Sequence, residues 1–121
     1  IVPKNNVLTR NQVRAKIAYN LVSSPEAKGD KDYPKLAKKF PALVHTCGLA
    51  QAIAFVRAKE GDTGTVYLNH LSSVMGRSRN DLEERSHSAL LPEYQRLSLE
   101  AIESASWIKR YAEALLKESE P

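Results

Sequence analysis

The least polar part of the chain is residues 40 to 56, FPALVHTCGLAQAIAFV, which contains both Pro41 and Gly48. Residues 49 to 56 are apolar around nearly the whole circumference of a helix, a pattern typical of a helix that is buried on all sides. The sequence therefore predicts a central apolar helix over about residues 48 to 60. We expect Pro41 and Gly48 to set the angle between this helix and the one before it.

Apolar residues recur every three or four positions along the rest of the chain, and no run alternates as a strand would. This spacing predicts an all-α fold, a compact single-domain bundle of about six helices around the central one. The domain is expected to occupy residues 9 to 119, after a partly disordered N-terminal segment at residues 1 to 8. The helices are predicted to begin near Thr9, Tyr33, Gly48, Thr65, Asn80 and Pro92.

Three polar segments are predicted to connect the helices. SSPEAKGDKD, at residues 23 to 32, has the composition of a loop, and residues 61 to 64, GDTG, have that of a turn. Gly76 is expected to end a helix in the left-handed conformation. The basic linker at residues 77 to 79 then leads to Asn80, which forms a predicted capping box with the glutamate three positions later.

Length and composition limit the class of protein. A chain of 121 residues, 42% of them hydrophobic, can enclose one core. The single cysteine, Cys47, cannot form an internal disulfide, which fits a reducing and cytoplasmic setting. No apolar run approaches the roughly 20 residues that span a bilayer, so we expect no membrane association.

Residues with catalytic or metal-binding potential are scattered. His45, His70 and His87 are too far apart in sequence for a metal motif, and Cys47 lies on an apolar stripe only two positions after His45. The sequence also lacks a glycine-rich phosphate loop. We therefore expect no catalytic residue, metal or cofactor, with a purely apolar interior and His45 at its edge. A small hydrolase is the least favoured function.

Charge is unevenly distributed along the chain. Residues 1 to 60 carry 11 Lys and Arg against 4 Asp and Glu, whereas residues 61 to 121 carry 7 against 10. A basic surface can contact nucleic-acid phosphates whatever the base sequence, and few aromatic residues accompany this one to stack bases. The candidate nucleic-acid contacts are Arg14, Lys35, Lys38, Lys39, Arg57 and Lys59.

An alternative function is a stand-alone DNA-binding protein. Residues 71 to 87 resemble a helix-turn-helix with Gly76 in the turn. However, the helix that would enter the groove carries Asp81, Glu83 and Glu84, and these charges repel phosphates.

The last helix has two apolar stripes. One steps by three and four residues from Tyr94 to Leu115, and Trp107 and Tyr111 lie about 100° away from it. A helix with two such stripes contacts two partners, one of which could be another chain. The candidate residues for a subunit interface are Arg77, Arg79, Trp107, Arg110 and Tyr111.

Two blocks of sequence resemble a known family. YPKLAKKFPALV at residues 33 to 44, followed by GLAQAIAF at residues 48 to 55, resembles the signature of the small all-helical subunit of the Cmr complex, the type III-B CRISPR effector. EYQR at residues 93 to 96 and WIKRYAE at residues 107 to 113 are similar to the last helix of that family. The chain departs from the family pattern at Cys47, where asparagine is common, and at LSSV, where an aromatic residue is common.

The resemblance implies a role in antiviral RNA silencing. Copies of such a subunit stack in a filament beside the backbone subunits that hold the guide RNA, and they line the groove that receives target RNA. Cleavage of the target belongs to the backbone subunit in such complexes. The implied partners are the other Cmr subunits, further copies of this chain, and the guide and target RNA, with no active site in the chain itself.

Overall fold

The computed structural model describes residues 8–116, which contain seven helices. The predicted all-α fold is confirmed, and the extra helix is a single short turn within the predicted loop at residues 23 to 32. Most of the segment predicted to be disordered, residues 1 to 8, lies outside the described residues, as does the predicted end of the last helix near residue 117. The helices are α1 (Arg10–Val22), α2 (Pro25–Lys28), α3 (Tyr33–Cys47), α4 (Leu49–Lys59), α5 (Gly61–Met75), α6 (Arg79–Ser88) and α7 (Leu91–Leu115).

Side-chain caps fix where several helices begin. The Thr9 hydroxyl accepts a hydrogen bond from the Gln12 backbone N–H at 3.1 Å, and the Gln12 side chain accepts one from the Thr9 N–H at 2.7 Å. Ser24 caps α2, with Pro25 in its first position. The capping box predicted from Asn80 is wrong, because Ser78 caps α6 by accepting from the Asp81 N–H at 3.1 Å. Helix α6 thus begins inside the predicted linker.

The segment predicted as a turn at residues 61 to 64 is the first turn of α5. Gly64 is buried there against α4, and a Cβ atom at this position would lie 2.8 Å from the Val56 carbonyl oxygen. This glycine therefore permits close packing of two helices. The glycine that does end α5 is Gly76, whose φ of 79° and ψ of 28° confirm the predicted left-handed cap.

Gly48 alone separates α3 from α4. Its φ of 85° and ψ of 161° are accessible mainly to glycine, and the residue caps both helices. Helix α3 continues past Pro41, which is buried. The change of direction within the apolar segment is therefore made at Gly48.

The centre of the bundle is α5, which packs against α1, α3, α4, α6 and α7. The predicted central position of α4 is wrong. Its buried face consists of Leu49, Ala52, Ile53 and Val56, whereas its opposite side is exposed to solvent. Alanines account for the error, because alanine favours helices and is as compatible with an exposed face as with a core. The exposed α4 residues are Gln51, Ala54, Phe55, Arg57, Ala58 and Lys59.

Helix α7 packs against α1, α3, α5 and α6. Its predicted stripe is buried through most of its length, while Tyr94 is half-buried and Leu115 is exposed. Small residues dominate the buried part, which lets neighbouring helices approach closely. The buried residues of α7 are Leu97, Ala101, Ser104, Ala105, Ile108 and Ala112.

Candidate nucleic-acid interface

Contacts of Lys39 join the outer surfaces of α3 and α4. Its ammonium nitrogen lies 2.9 Å from Oε2 of Glu60, at the end of α4, and 5.3 Å from the centre of the Phe55 ring. The second contact has the geometry of a cation–π interaction. The chain reverses direction at Gly48, so α4 lies against α3. Lys39 therefore faces residues near the C-terminal end of α4.

Three further lysines share this surface. Lys35 lies one turn before Lys39 on α3, Lys59 lies one turn after Phe55 on α4, and both lysines are exposed. Lys38 is half-buried beside them. We call the four residues Lys35, Lys38, Lys39 and Lys59 the basic face. Glu60 pairs with Lys39 at the edge of the basic face.

Arg57 lies apart from the basic face, although it was predicted with it. Positions 57 and 59 point in directions about 200° apart on a helix. The Arg57 guanidinium pairs with Glu83 of α6, and Glu83 also lies 3.5 Å from Nε of Arg79. Arg57 therefore belongs to the ion pairs between α4 and α6.

Arg14, a predicted nucleic-acid contact, is buried and does not lie on the basic face. Its side chain is only 6% exposed and its guanidinium forms an ion pair with Glu103 of α7. A buried and paired guanidinium cannot reach a phosphate without losing its partner. The helical pattern placed Arg14 off the apolar side of α1, but the buried face of this helix consists of Arg14, Ala18 and Val22.

The two arginines predicted at a subunit interface, Arg77 and Arg79, lie at the junction of α5 and α6. Arg77 donates to Asp81 at 2.7 Å, and a second nitrogen of Arg77 lies 3.8 Å from Glu100. Because these cations are matched by acids, α6 offers little net positive charge to a DNA groove. This surface does not support the helix-turn-helix alternative.

The other interface candidates form an aromatic cluster on α7. The rings of Trp107 and Tyr111 are stacked, with centroids 6.0 Å apart and planes at 23°. Tyr19 of α1 meets Tyr111 edge to face at 5.5 Å and is about half exposed. Arg110 and Trp107 line a shallow groove beside them. Tyr19 was not predicted as part of this surface, because nothing in the sequence indicates that its position on α1 lies next to α7.

The interior contains a polar pair, so the expectation of a purely apolar core is wrong. The Tyr33 hydroxyl lies 2.7 Å from Nδ1 of His70, and the other ring nitrogen of His70 lies 3.8 Å from the Glu26 carboxylate of α2. Tyr33 is fully buried and His70 is 5% exposed. His45, which was predicted at the edge of the core, is exposed instead.

Burial determines the protonation of this pair. It lowers the pKa of His70 below its usual value, and the Glu26 carboxylate partly opposes that effect. Burial, with Glu26 adding to it, raises the pKa of the Tyr33 hydroxyl above its usual range. A protonated Tyr33 that donates to Nδ1 leaves the imidazole proton on Nε2, facing Glu26. The pair is thus a neutral structural hydrogen bond between α3 and α5.

Among residues 8–116, no group of three or more His, Cys, Asp or Glu side chains is arranged to hold a metal ion. Within the same range, no helix combines the length and the hydropathy needed to cross a bilayer.

Comparisons with known proteins agree on one family. The family model for CRISPR-associated protein (Cas_Cmr5) matches residues 10–115. The CRISPR system Cmr subunit Cmr5 of Thermus thermophilus is 38% identical over 112 residues, which are 91% of this chain and 98% of that protein. The crystal structure of a CRISPR-associated Cmr5 family protein from Thermus thermophilus aligns with a TM-score of 0.81 at 35% identity, covering 92% of this chain and 100% of that chain. The chain therefore belongs to the Cmr5 family of CRISPR-associated proteins.

Proposed function

We propose that this protein is a non-catalytic subunit of a type III-B CRISPR effector, the Cmr complex, and acts in the cytoplasm in antiviral RNA silencing. The observation that carries this proposal is the 38% identity to a Cmr subunit, over nearly the full length of both chains. In the complex, copies of the chain stack beside the subunits that hold the guide RNA.

The basic face is the surface that we propose contacts RNA. Its lysines lie on two adjacent helices and are spread over more than one turn of the protein helices. Together they can therefore contact several phosphates of one RNA strand. Lysines act as point charges and attract phosphates regardless of base sequence. A subunit with this surface supports capture of any target RNA that the guide selects. Arg57 lies outside this contact, because Glu83 holds it toward α6.

The aromatic cluster is the surface that we propose docks another protein subunit. Tryptophan, tyrosine and arginine are the residues that contribute most often to binding energy at protein interfaces. Trp107, Tyr111 and Arg110 lie together on α7, with Tyr19 beside them. This cluster and the basic face lie on different helices, so a chain can dock through one and contact RNA through the other. Arg77 and Arg79, at the junction of α5 and α6, are further proposed docking residues.

A non-catalytic role fits the chemistry of the polar groups. The histidine with the strongest polar contact, His70, is enclosed by the core and bonded to Tyr33. A general base must reach the proton that it removes, and this imidazole is only 5% exposed.

The proposed RNA contact is tested in a Cmr complex reconstituted with variants of this chain. We expect Lys35→Glu with Lys59→Glu to assemble normally and to capture target RNA less well, because both positions are exposed and neither contributes to the core. The control is Lys28→Glu with Arg96→Glu, an equal change of charge at exposed positions on α2 and α7.

Weaker capture by the first pair alone supports the proposal. Equal capture by wild type and both double variants overturns the RNA contact, and failure of the wild-type chain to join the complex overturns the proposed membership.

A further inference from the structure

Phe55 is a large apolar residue on the basic face. It projects from the outer side of α4, where Gln51, Ala54 and Ala58 are also exposed, and 37% of its surface is accessible. Helical geometry places Phe55 about 110° from the centre of the buried face of α4, so the ring lies at the flank of that face. The ring therefore presents an exposed aromatic surface next to Lys39.

The surroundings of Phe55 favour a ligand that is both flat and anionic. Lys39 sits over the ring, Lys59 follows one turn later on α4, and Lys35 lies one turn from Lys39 on α3. An aromatic ring flanked by cations is the combination with which proteins bind single-stranded nucleic acid, since the ring stacks on a base while the cations hold the phosphates. A duplex keeps its bases stacked inside, so it offers this surface phosphates and 2′-hydroxyls but no free base face on which the ring could stack.

We propose that Phe55 stacks on an unpaired nucleobase of single-stranded RNA whose adjacent phosphates bind Lys35, Lys39 and Lys59. This inference rests on the proposed RNA contact and adds a preference for single strands to it. The Lys39 ammonium is carried on a flexible stem, so it can move from the ring to a phosphate when a base takes its place. Exposed alanines at positions 54 and 58 leave room for the base beside the ring.

The test uses the purified full-length chain and a short oligoribonucleotide that contains one 2-aminopurine, whose fluorescence is quenched when it stacks. Phe55→Leu keeps an apolar side chain and removes the ring, whereas Phe55→Tyr keeps the ring. We expect Phe55→Leu to weaken binding of the single strand by about 5-fold to about 150-fold and to abolish the quenching. Phe55→Tyr is expected to retain both, and binding of the same RNA as a duplex is expected to be unchanged by either substitution.

The Lys35→Glu, Lys59→Glu variant in the same assay separates this inference from the proposed function. If it weakens binding while Phe55→Leu retains wild-type affinity and quenching, stacking is overturned and the phosphate contact stands. If both variants bind as the wild type does, the stacking inference and the phosphate contact are both overturned. If Phe55→Leu weakens duplex and single-strand binding equally, the ring supports the surface structurally and the stacking inference is likewise overturned.

Discussion

The Tyr33 hydroxyl lies 2.7 Å from Nδ1 of His70, and this hydrogen bond joins α3 to the central helix α5 inside the core. A buried polar group is costly when it loses its partner, because it regains no contact with water. The Tyr33–His70 bond therefore matters more to the stability of the fold than its single contact suggests.

Tyr33→Phe should lower the free energy of unfolding by about 1–3 kcal/mol, because it leaves the buried Nδ1 of His70 without its donor. Urea unfolding measures the effect. The matched control is Tyr67→Phe, since the Tyr67 hydroxyl is also buried but makes no hydrogen bond to any described residue. That substitution should be neutral or stabilising. Equal losses in the two variants would show that the His70 contact contributes nothing specific.

Acidification should destabilise the protein through His70. Burial lowers the pKa of His70 in the folded state below its ordinary value of 6.5. As the pH falls below about 6.5, the unfolded chain therefore binds a proton that the folded chain does not, and the free energy of unfolding falls by at most about 1.4 kcal/mol per pH unit. Above that pH the imidazole is neutral in both states and has no such effect.

His70→Gln isolates this contribution, because glutamine does not titrate. The free energy of unfolding, measured in urea at about pH 7.5 and about pH 5, should fall more for the wild type than for His70→Gln. If acidification destabilises the two proteins equally, the decrease comes from other groups.

Gly48→Ala should cost about 1–3 kcal/mol of stability, because a φ of 85° with a ψ of 161° is strained for any residue with a Cβ atom. The added carbon would also lie 3.4 Å from the Tyr94 hydroxyl, which accepts a hydrogen bond from the Ala50 N–H. Gly76→Ala is the control, since Gly76 has a similar φ but open space around it. Thermal or urea unfolding should rank Gly48→Ala as the more damaging, and the reverse order would contradict the role of Gly48.

Ala52→Leu should destabilise the protein by about 1–3 kcal/mol, because Ala52 is fully buried and the added carbons overpack the contact of α4 with its neighbours. Ala54→Leu lies on the exposed side of the same helix and should change stability by less than about 0.5 kcal/mol. Urea unfolding compares the two. Similar costs at the two positions would mean that the assigned buried face of α4 is wrong.

Local signals in the sequence predicted the helices well. Residues 33 to 47 and the stripe of α7 have regular helical spacing, and Gly76 follows the last residue of α5, so both ends and faces were readable. The sequence pattern gave a wrong prediction where the same residue type occurs in two structural environments. Its alanines made α4 appear buried on all sides. The serine, proline and glycine that predicted a loop at residues 23 to 32 instead begin and end α2.

The candidate site was only partly predictable, because charge alone does not report pairing. Lys35, Lys39 and Lys59 follow one another along two helix faces, which the sequence pattern indicated. Arg14 faces Glu103, which is 89 positions away, and Lys39 covers the ring of Phe55 only because α4 folds back at Gly48. Such contacts depend on tertiary packing, so helical periodicity within a single segment cannot reveal them.

The salt dependence of RNA capture tests the central claim most directly. For a single strand, each phosphate contact contributes about 0.7 to the slope of log affinity against log salt concentration. In the reconstituted complex, Lys35→Gln with Lys59→Gln should reduce the magnitude of that slope by about 1.4, whereas Lys28→Gln with Arg96→Gln should leave it at the wild-type value. Identical slopes for the wild type and both double variants would contradict the assignment of the basic face to RNA.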